Sequence, residues 1–290
     1  MKHSMLLRVG PRTFRIGSDW RQPIVELKSL YASYLHMLSE TDTIPDYTVR
    51  LEATRFWRRT VRPSVAIRGD HELADAVPTS LAHGLLAAEM AMNLQMALGE
   101  RRYLLLHASS VEKDGRVLIM TGESGSGKST LSALLGHDGW RFMGDEFALI
   151  DTTTGLAHPF PRPVSLKGDA IALMRAALPK AQFGPVQRDT PKGDVCHLVP
   201  ARAAIDAMDR PAKPALILFP RYGFAREMRA VGTSEAFVRL TQASTNYTAL
   251  GEAGFDALTT LVTTVPSCAI DYPDTKTAVA LVNSLWADLA

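Results

Sequence analysis

The run Gly122-Glu123-Ser124-Gly125-Ser126-Gly127-Lys128-Ser129-Thr130 constrains this chain more than any other stretch. It fits G-x-x-x-x-G-K-[ST], the loop that cradles phosphates in nucleotide-binding proteins. Its glycines let successive backbone N–H groups turn inward on an anion where side chains would obstruct them. In such a loop Lys128 reaches the terminal phosphates as a mobile point charge, and the Ser129 hydroxyl takes one coordination place on Mg²⁺. The neighbours stand in the order the motif needs. Arg116–Thr121 is an apolar run of strand length, and Leu131, Leu134 and Leu135 follow the loop at helical spacing. A helix must follow because its N-terminus supplies the last phosphate donors. Residues Gly122 to Thr130 are therefore read as a nucleotide-binding segment.

Composition bounds what surrounds it. A chain of 290 residues, 46% hydrophobic and 21% charged, is long enough for one large domain or two with a sizeable core. A net charge of +2 is too small to argue for nucleic acid or a membrane as partner. The two cysteines, Cys196 and Cys268, fit no metal spacing and read as reduced, buried small hydrophobes of a cytoplasmic protein. The N-terminal residues show no signal-peptide apolar core. Leu81–Leu98, the longest apolar stretch, carries His83, Glu89, Asn93 and Gln95, which suits a buried helix better than a lipid-spanning one.

Residues 1–76 are expected to form a small β-rich domain. Met5–Val9 and Thr13–Ile16 read as strands around Gly10-Pro11, and Tyr47–Ala53 and Ser64–Arg68 as two more, with one helix within 24–39. Arg50, Arg55, Arg58, Arg59, Arg62 and Arg68, with Phe56 and Trp57 interleaved, resemble a nucleic-acid surface. Asp42, Asp46, Glu52, Asp70 and Glu72 surround them, which favours a solvated strand face. Residues 77–290 are expected to be the nucleotide-binding domain. It opens with a helix capped at Thr79 or Ser80, with Met90, Met92 and Met96 as core filler.

Asp114-Gly115 predicts a hairpin turn that sets His107 on the strand beside the one leading into the loop. After the loop helix, Trp140–Asp151 reads as one apolar strand with Asp145 and Glu146 in its middle. Carboxylates there are costly unless something cationic offsets them, and Asp145 is where a second metal-facing carboxylate should stand. Phe183–Asp194 reads as a polar loop, long enough for a lid or an acceptor loop. Ala215–Pro220 is a buried strand, and 233–242, 246–264 and 275–288 are closing helices.

Residues 103–151 resemble the HPr kinase/phosphorylase family, in particular its shorter HPr-kinase-related members. His107, then Gly122–Ser129, then Gly139-Trp-Arg-Phe-Met-Gly-Asp145-Glu146 carry the resemblance. This chain departs from the family pattern at Thr130, at Glu146 and across Val164–Gly168, where glutamate, aspartate and a metal-binding glutamate are usual. The resemblance implies an α/β fold, a P-loop kinase-like domain of the HPr kinase C-terminal type behind the β-rich N-terminal domain. It implies an ATP-dependent phosphotransferase that moves the γ-phosphoryl of ATP to a hydroxyl, with serine of a small protein or peptide as acceptor. Asp145, assisted by His107, is then the base, Lys128 holds the phosphates, and Ser129, Asp145 and Glu146 serve Mg²⁺. The related family forms hexamers, so a homo-oligomer is the matching expectation. A kinase of a small hydroxylated metabolite and an ATP-dependent switch without an acceptor are the alternatives. Arg162, Lys167 and Arg221 are further candidates for clamping phosphates or the acceptor.

Overall fold

A computed structural model describes residues 3–34 and 43–289 as a mixed α/β structure with several sheets. It divides into two compact units, Met1–Glu100 with Gln182–Val199, and Arg101–Ala181 with Pro200–Ala290. Asp42 and part of the 24–39 helix window lie outside the described residues.

In the first unit, β1 (His3–Val9) and β2 (Arg12–Ser18) form the expected hairpin, and α1 (Arg21–Leu30) buries Ile24, Leu27 and Leu30. The helix begins earlier than 24 and carries the chain over to β3 (Tyr47–Ala53), parallel to β2. β4 (Ser64–Gly69) and β5 (Thr79–Ser80) complete a five-stranded sheet. Arg50 of β3 and Arg68 of β4 face each other on an exposed strand face, as expected, whereas Arg58 and Arg59 lie in a 3-10 turn, Phe56–Arg59, between the two strands, where Phe56 is 86% exposed. Thr79 and Ser80 belong to β5, and Ser80 caps only a short 3-10 turn, so the helix α2 starts at Gly84 and runs to Gly99. Its Leu85, Met92 and Met96 are buried while Met90 is exposed, which corrects the expectation for that methionine. α2 packs on β3 and β4, and buried Glu100 receives Arg12 at 2.7 and 2.9 Å. A cut at 76 would part this helix from the sheet it covers, so the compact unit extends to Glu100.

The second unit opens with β6 (Tyr103–Leu106), β7 (Ala108–Lys113), β8 (Arg116–Thr121), α3 (Lys128–His137), β9 (Arg141–Gly144) and β10 (Ala148–Asp151). β11 (Ala157–His158), β12 (Val164–Lys167) and α4 (Asp169–Ala177) follow. Asp114 and Gly115 both have positive φ, the conformation a two-residue hairpin turn between right-twisted strands demands.

Phe183–Asp194 is not a loop. β13 (Gln187–Thr190) and β14 (Gly193–Leu198) pair as a hairpin that belongs to the first unit, where the His83 ring meets the Arg188 carbonyl at 2.9 Å. The chain then returns to the second unit through α5 (Arg202–Asp206), β15 (Lys213–Tyr222), β16 (Glu227–Val231), α6 (Thr233–Ala243) and α7 (Tyr247–Leu250). α8 (Glu252–Thr264), β17 (Ser267–Tyr272) and α9 (Thr275–Ala287) end it.

Six strands in the order β16-β17-β15-β8-β7-β9 form the main sheet, with β8, β15 and β17 mutually parallel. Val117 and Ile119 of β8 join a core with Leu240 and Leu258 of α6 and α8, while the alternate Leu118 and Met120 are buried on the other face. A strand buried on both faces reads as a continuous apolar run, which is why Arg116–Thr121 was legible.

Candidate functional site

The glycine-rich loop links the C-terminal end of β8 to α3, whose first residue is Lys128. Gly127 has φ +91, and a Cβ on it would lie 2.3 Å from the Tyr272 hydroxyl oxygen. That tyrosine ends β17, is 1% exposed, and donates its hydroxyl to the Ser126 carbonyl at 3.0 Å. Burial, with Tyr222 adding to it, holds the phenol well above its ordinary pKa, so it remains a donor. Gly127→Ala should therefore weaken nucleotide binding by more than tenfold and lower Tm, because about 1–3 kcal/mol of backbone strain adds to a collision. Gly125→Ala shares the strain, at φ +85, but meets open space and should cost less. Calorimetric titration of both variants checks the order.

Lys128 folds back on its own loop. Its ammonium donates to the carbonyls of Gly122 at 2.7 Å and Glu123 at 2.9 Å, and to Ser126 Oγ at 3.4 Å. Burial lowers its pKa, and attraction by Asp145 and Glu146 offsets that only in part. The loop thus holds a cation on carbonyl oxygens, which an anion can draw away.

Asp145 does not sit inside a strand. The chain leaves the six-stranded sheet after Gly144 and enters the small β11-β10-β6 sheet at Ala148, so the acidic pair occupies the break between sheets. Glu146 takes φ +72 there. Asp145 is 3% exposed, and its Oδ1 accepts from Ser109 Oγ at 2.5 Å and Ser129 Oγ at 3.0 Å. Its Oδ2 is buried with no hydrogen-bond partner. Burial first and the charge of Glu146 second push the carboxyl above its ordinary pKa, against hydrogen bonds from Ser109, Ser129 and the Glu146 backbone. An orphaned carboxylate oxygen one hydroxyl away from the loop serine is a hard, oxygen-only donor set, and Mg²⁺ fits it. Among the described residues there is no group of three or more His, Cys, Asp or Glu placed to hold a metal.

His107 also lies in a break, between β6 and β7, rather than on the strand. Its Nδ1 is 3.6 Å from Glu146 Oε2, so the structure pairs it with the second acid of the pair. The His107 carbonyl accepts from Thr121 Oγ1 at 3.0 Å, which ties it to the last residue before the loop. Arg162 is buried against the Phe160 ring, and Lys167 is close enough to Lys128 to lower its pKa. Arg221 forms a two-point ion pair with Asp271 and stacks on Phe224 at 4.0 Å. The sequence reading missed Ser109, Tyr272 and this ion pair. Each acts across strands, and only three-dimensional pairing brings it to the loop.

Two cavities flank the loop. A cleft of about 1020 Å³ runs from Glu123–Ser126 and His107 past Arg221 to Arg229, Arg239 and Ser244. A smaller cavity of about 160 Å³ lies by Thr130 and Leu131, walled by Leu173, Tyr222, Tyr272 and Thr275. In the cleft Arg229 meets Glu235 at 2.8 Å through both guanidinium nitrogens, and Arg239 meets it at 2.7 Å. Arg229, with Arg239 assisting, holds the Glu235 carboxyl down at about 2.

No family model matches the chain, and no curated protein does. Among solved structures it is similar to the Hpr(Ser) kinase/phosphatase from Coxiella burnetii, at 14% sequence identity and a TM-score of 0.28, over 63% of this chain and 94% of that one. What the site does is drawn from its own residues. No helix among the described residues is long and apolar enough to cross a membrane.

Proposed function

We propose that the second unit is a P-loop kinase of the HPr-kinase-related type, which transfers the γ-phosphoryl of ATP to a hydroxyl of a protein or peptide. The observation that carries this is the contact of Ser129 with Asp145 Oδ1 while Asp145 Oδ2 stays buried and unpartnered. Most buried carboxylate oxygens have a hydrogen-bond partner, so the bare Oδ2 is the feature this reading accounts for. A chemically active one needs an oxygen held dry and ready.

In this reading the base of ATP enters the small cavity beside Thr130 and Leu131, and the phosphates lie over Gly122–Ser129. The walls of Tyr222, Tyr272 and Leu173 suit a flat ring. Lys128 exchanges the Gly122 and Glu123 carbonyls for phosphate oxygens, at little reorganisation cost because the ammonium is already in place. Ser129, Asp145 and Glu146 would hold Mg²⁺, which would neutralise charge on the phosphates. Asp145 takes the proton of the acceptor hydroxyl on Oδ2, since Ser109 and Ser129 fix Oδ1. The pKa elevation caused by burial makes it a better proton acceptor than an exposed carboxylate. His107 positions Glu146 from the cleft side.

Incubating the protein with γ-labelled ATP and a lysate fractionated by size tests the proposal. Label on a macromolecule supports it. Label on a metabolite would make the protein a small-molecule kinase, and steady release of free phosphate without labelled product would make it a switch. Ser129→Ala provides a second check. Losing one hydroxyl ligand should raise the Mg²⁺ concentration needed for activity more than the apparent ATP constant. An unchanged metal titration would show that Ser129 is no ligand.

A further inference from the structure

We propose that the acceptor is a polypeptide held in extended form along the outer edge of β16, so that its phosphorylated serine lies several residues beyond the paired segment. This rests on the phosphotransfer reading and adds where and how the acceptor docks.

β16 closes one side of the six-stranded sheet, and among the described residues no strand pairs with its outer side. Four of its five residues, Glu227 to Ala230, are exposed. Which backbone groups face outward follows from the neighbours. Ile217 N–H donates to the Pro266 carbonyl and Gly223 N–H to the Tyr272 carbonyl, so the even-numbered residues of β17 point towards β15. Residues 267, 269 and 271 therefore point towards β16, where they face Val231, Arg229 and Glu227. Met228 and Ala230 are left with N–H and C=O directed away from the sheet. The Ala230 carbonyl is met by the guanidinium of Arg229 at 3.5 Å, a long contact that a strand can replace.

An exposed edge alone is ordinary, and short charged edge strands are common. This one is continuous with the site. Glu227 and Arg229 line the same cleft as Glu123–Ser126 and His107. β16 runs antiparallel to β17, with Glu227 opposite Asp271 at the end of the sheet where the glycine-rich loop emerges. A peptide paired on the outside of β16 thus leaves the edge at the loop end. From the paired peptide to β8 are four strand spacings, roughly 19 Å, which about five to six extended residues span. The chemistry of the cleft agrees. Arg221 with Asp271, and Arg229 and Arg239 with Glu235, are already neutralised or nearly so, which suits peptide backbone better than a second polyanion.

The test uses the full chain, γ-labelled ATP, Mg²⁺ and a pool of single-serine peptides of about fifteen residues, long enough for both segments. A parallel mixture holds free serine, glycerol and hexoses. The best-labelled peptide is then N-methylated one residue at a time. Pairing on an edge predicts that kcat/KM falls about tenfold at alternate residues of a block about five to six residues from the serine, and little at those between. On the enzyme side, Met228→Pro should lower kcat/KM for that peptide with ATP affinity unchanged, and Met228→Ala should not. Uniform tolerance of N-methylation, or parental activity of Met228→Pro, would overturn the proposal. So would label on the small hydroxyl compounds alone, although phosphotransfer would then stand. A dimer by sedimentation that Met228→Pro dissolves would assign the edge to a second copy instead. Failure to bind ATP at all would overturn the phosphotransfer reading and this proposal together.

Discussion

Lys128→Ala is expected to reduce phosphoryl transfer by about a hundred- to a thousand-fold, the usual result of removing one preorganised electrostatic partner of the transition state. The free protein should not suffer with it. The parental ammonium is buried and its pKa is lowered by desolvation, so the charge is a net liability until phosphate arrives. The folded pKa lies below the unfolded value of 10.5, so the residue destabilises most at low and neutral pH. That penalty fades as pH rises through the folded pKa towards the unfolded one. Ligand-free Lys128→Ala should therefore equal or exceed the parent in Tm at pH 7, apart from the lost hydrogen bonds to Gly122 and Glu123. Adding ATP should raise the parental Tm and leave the variant nearly unmoved, because only a bound ligand shifts the folding equilibrium. Near-parental turnover by the variant would remove the basis for reading Gly122–Thr130 as a phosphate site.

The loop was legible because everything defining it is local. Strand period, glycine spacing and helix period all fall within Arg116–His137, and the structure places β8, the loop and α3 there. The position of Asp145 was legible as an acidic residue within an apolar run, but the break around it was not. Phe142, Met143, Phe147 and Ala148 are buried on both sides of it, so the apolar pattern runs on unbroken while the backbone changes sheet. Gly144 is the one local trace of that change. A Cβ there would meet the Phe147 carbonyl at 2.9 Å and the Phe160 carbonyl at 3.1 Å, a crowding that only the fold creates. The β13–β14 hairpin was hidden for the opposite reason. Arg188, Asp189 and Asp194 are exposed, so its polar residues match a solvated loop. Tyr272 shows the remaining limit. Its hydroxyl reaches Ser126 across β15, the strand that stands between β17 and β8, and nothing in Ser267–Tyr272 announces that reach.

Asp145→Asn should separate catalysis from binding and from stability in one variant. Asparagine keeps the size of the side chain and an Oδ1 that accepts from Ser109 and Ser129, so the break between β9 and β10 can retain its shape. It removes the basicity of the second oxygen, and loss of a general base typically costs about a hundred- to ten-thousand-fold. Single-turnover transfer should fall by that factor while ATP affinity, read calorimetrically, changes little. His107→Ala should lose less, since its contact is with Glu146 rather than Asp145. Stability should move the other way. The carboxyl of Asp145 is held above its ordinary 3.8 by burial and by Glu146, so the folded protein binds a proton there more tightly than the unfolded chain. Such a group stabilises fully below the unfolded pKa, and that advantage is lost as pH rises through the folded one. Asparagine does not titrate. The Tm of Asp145→Asn minus that of the parent should therefore climb from pH 4 upward and level off once the parental carboxyl has ionised. A variant that lost transfer and also lost stability at pH 7 would mark Asp145 as a structural residue. A variant that kept transfer would end its assignment as the base. A gain in Tm together with a loss of transfer is the signature of a carboxylate kept buried for chemistry at the expense of the fold.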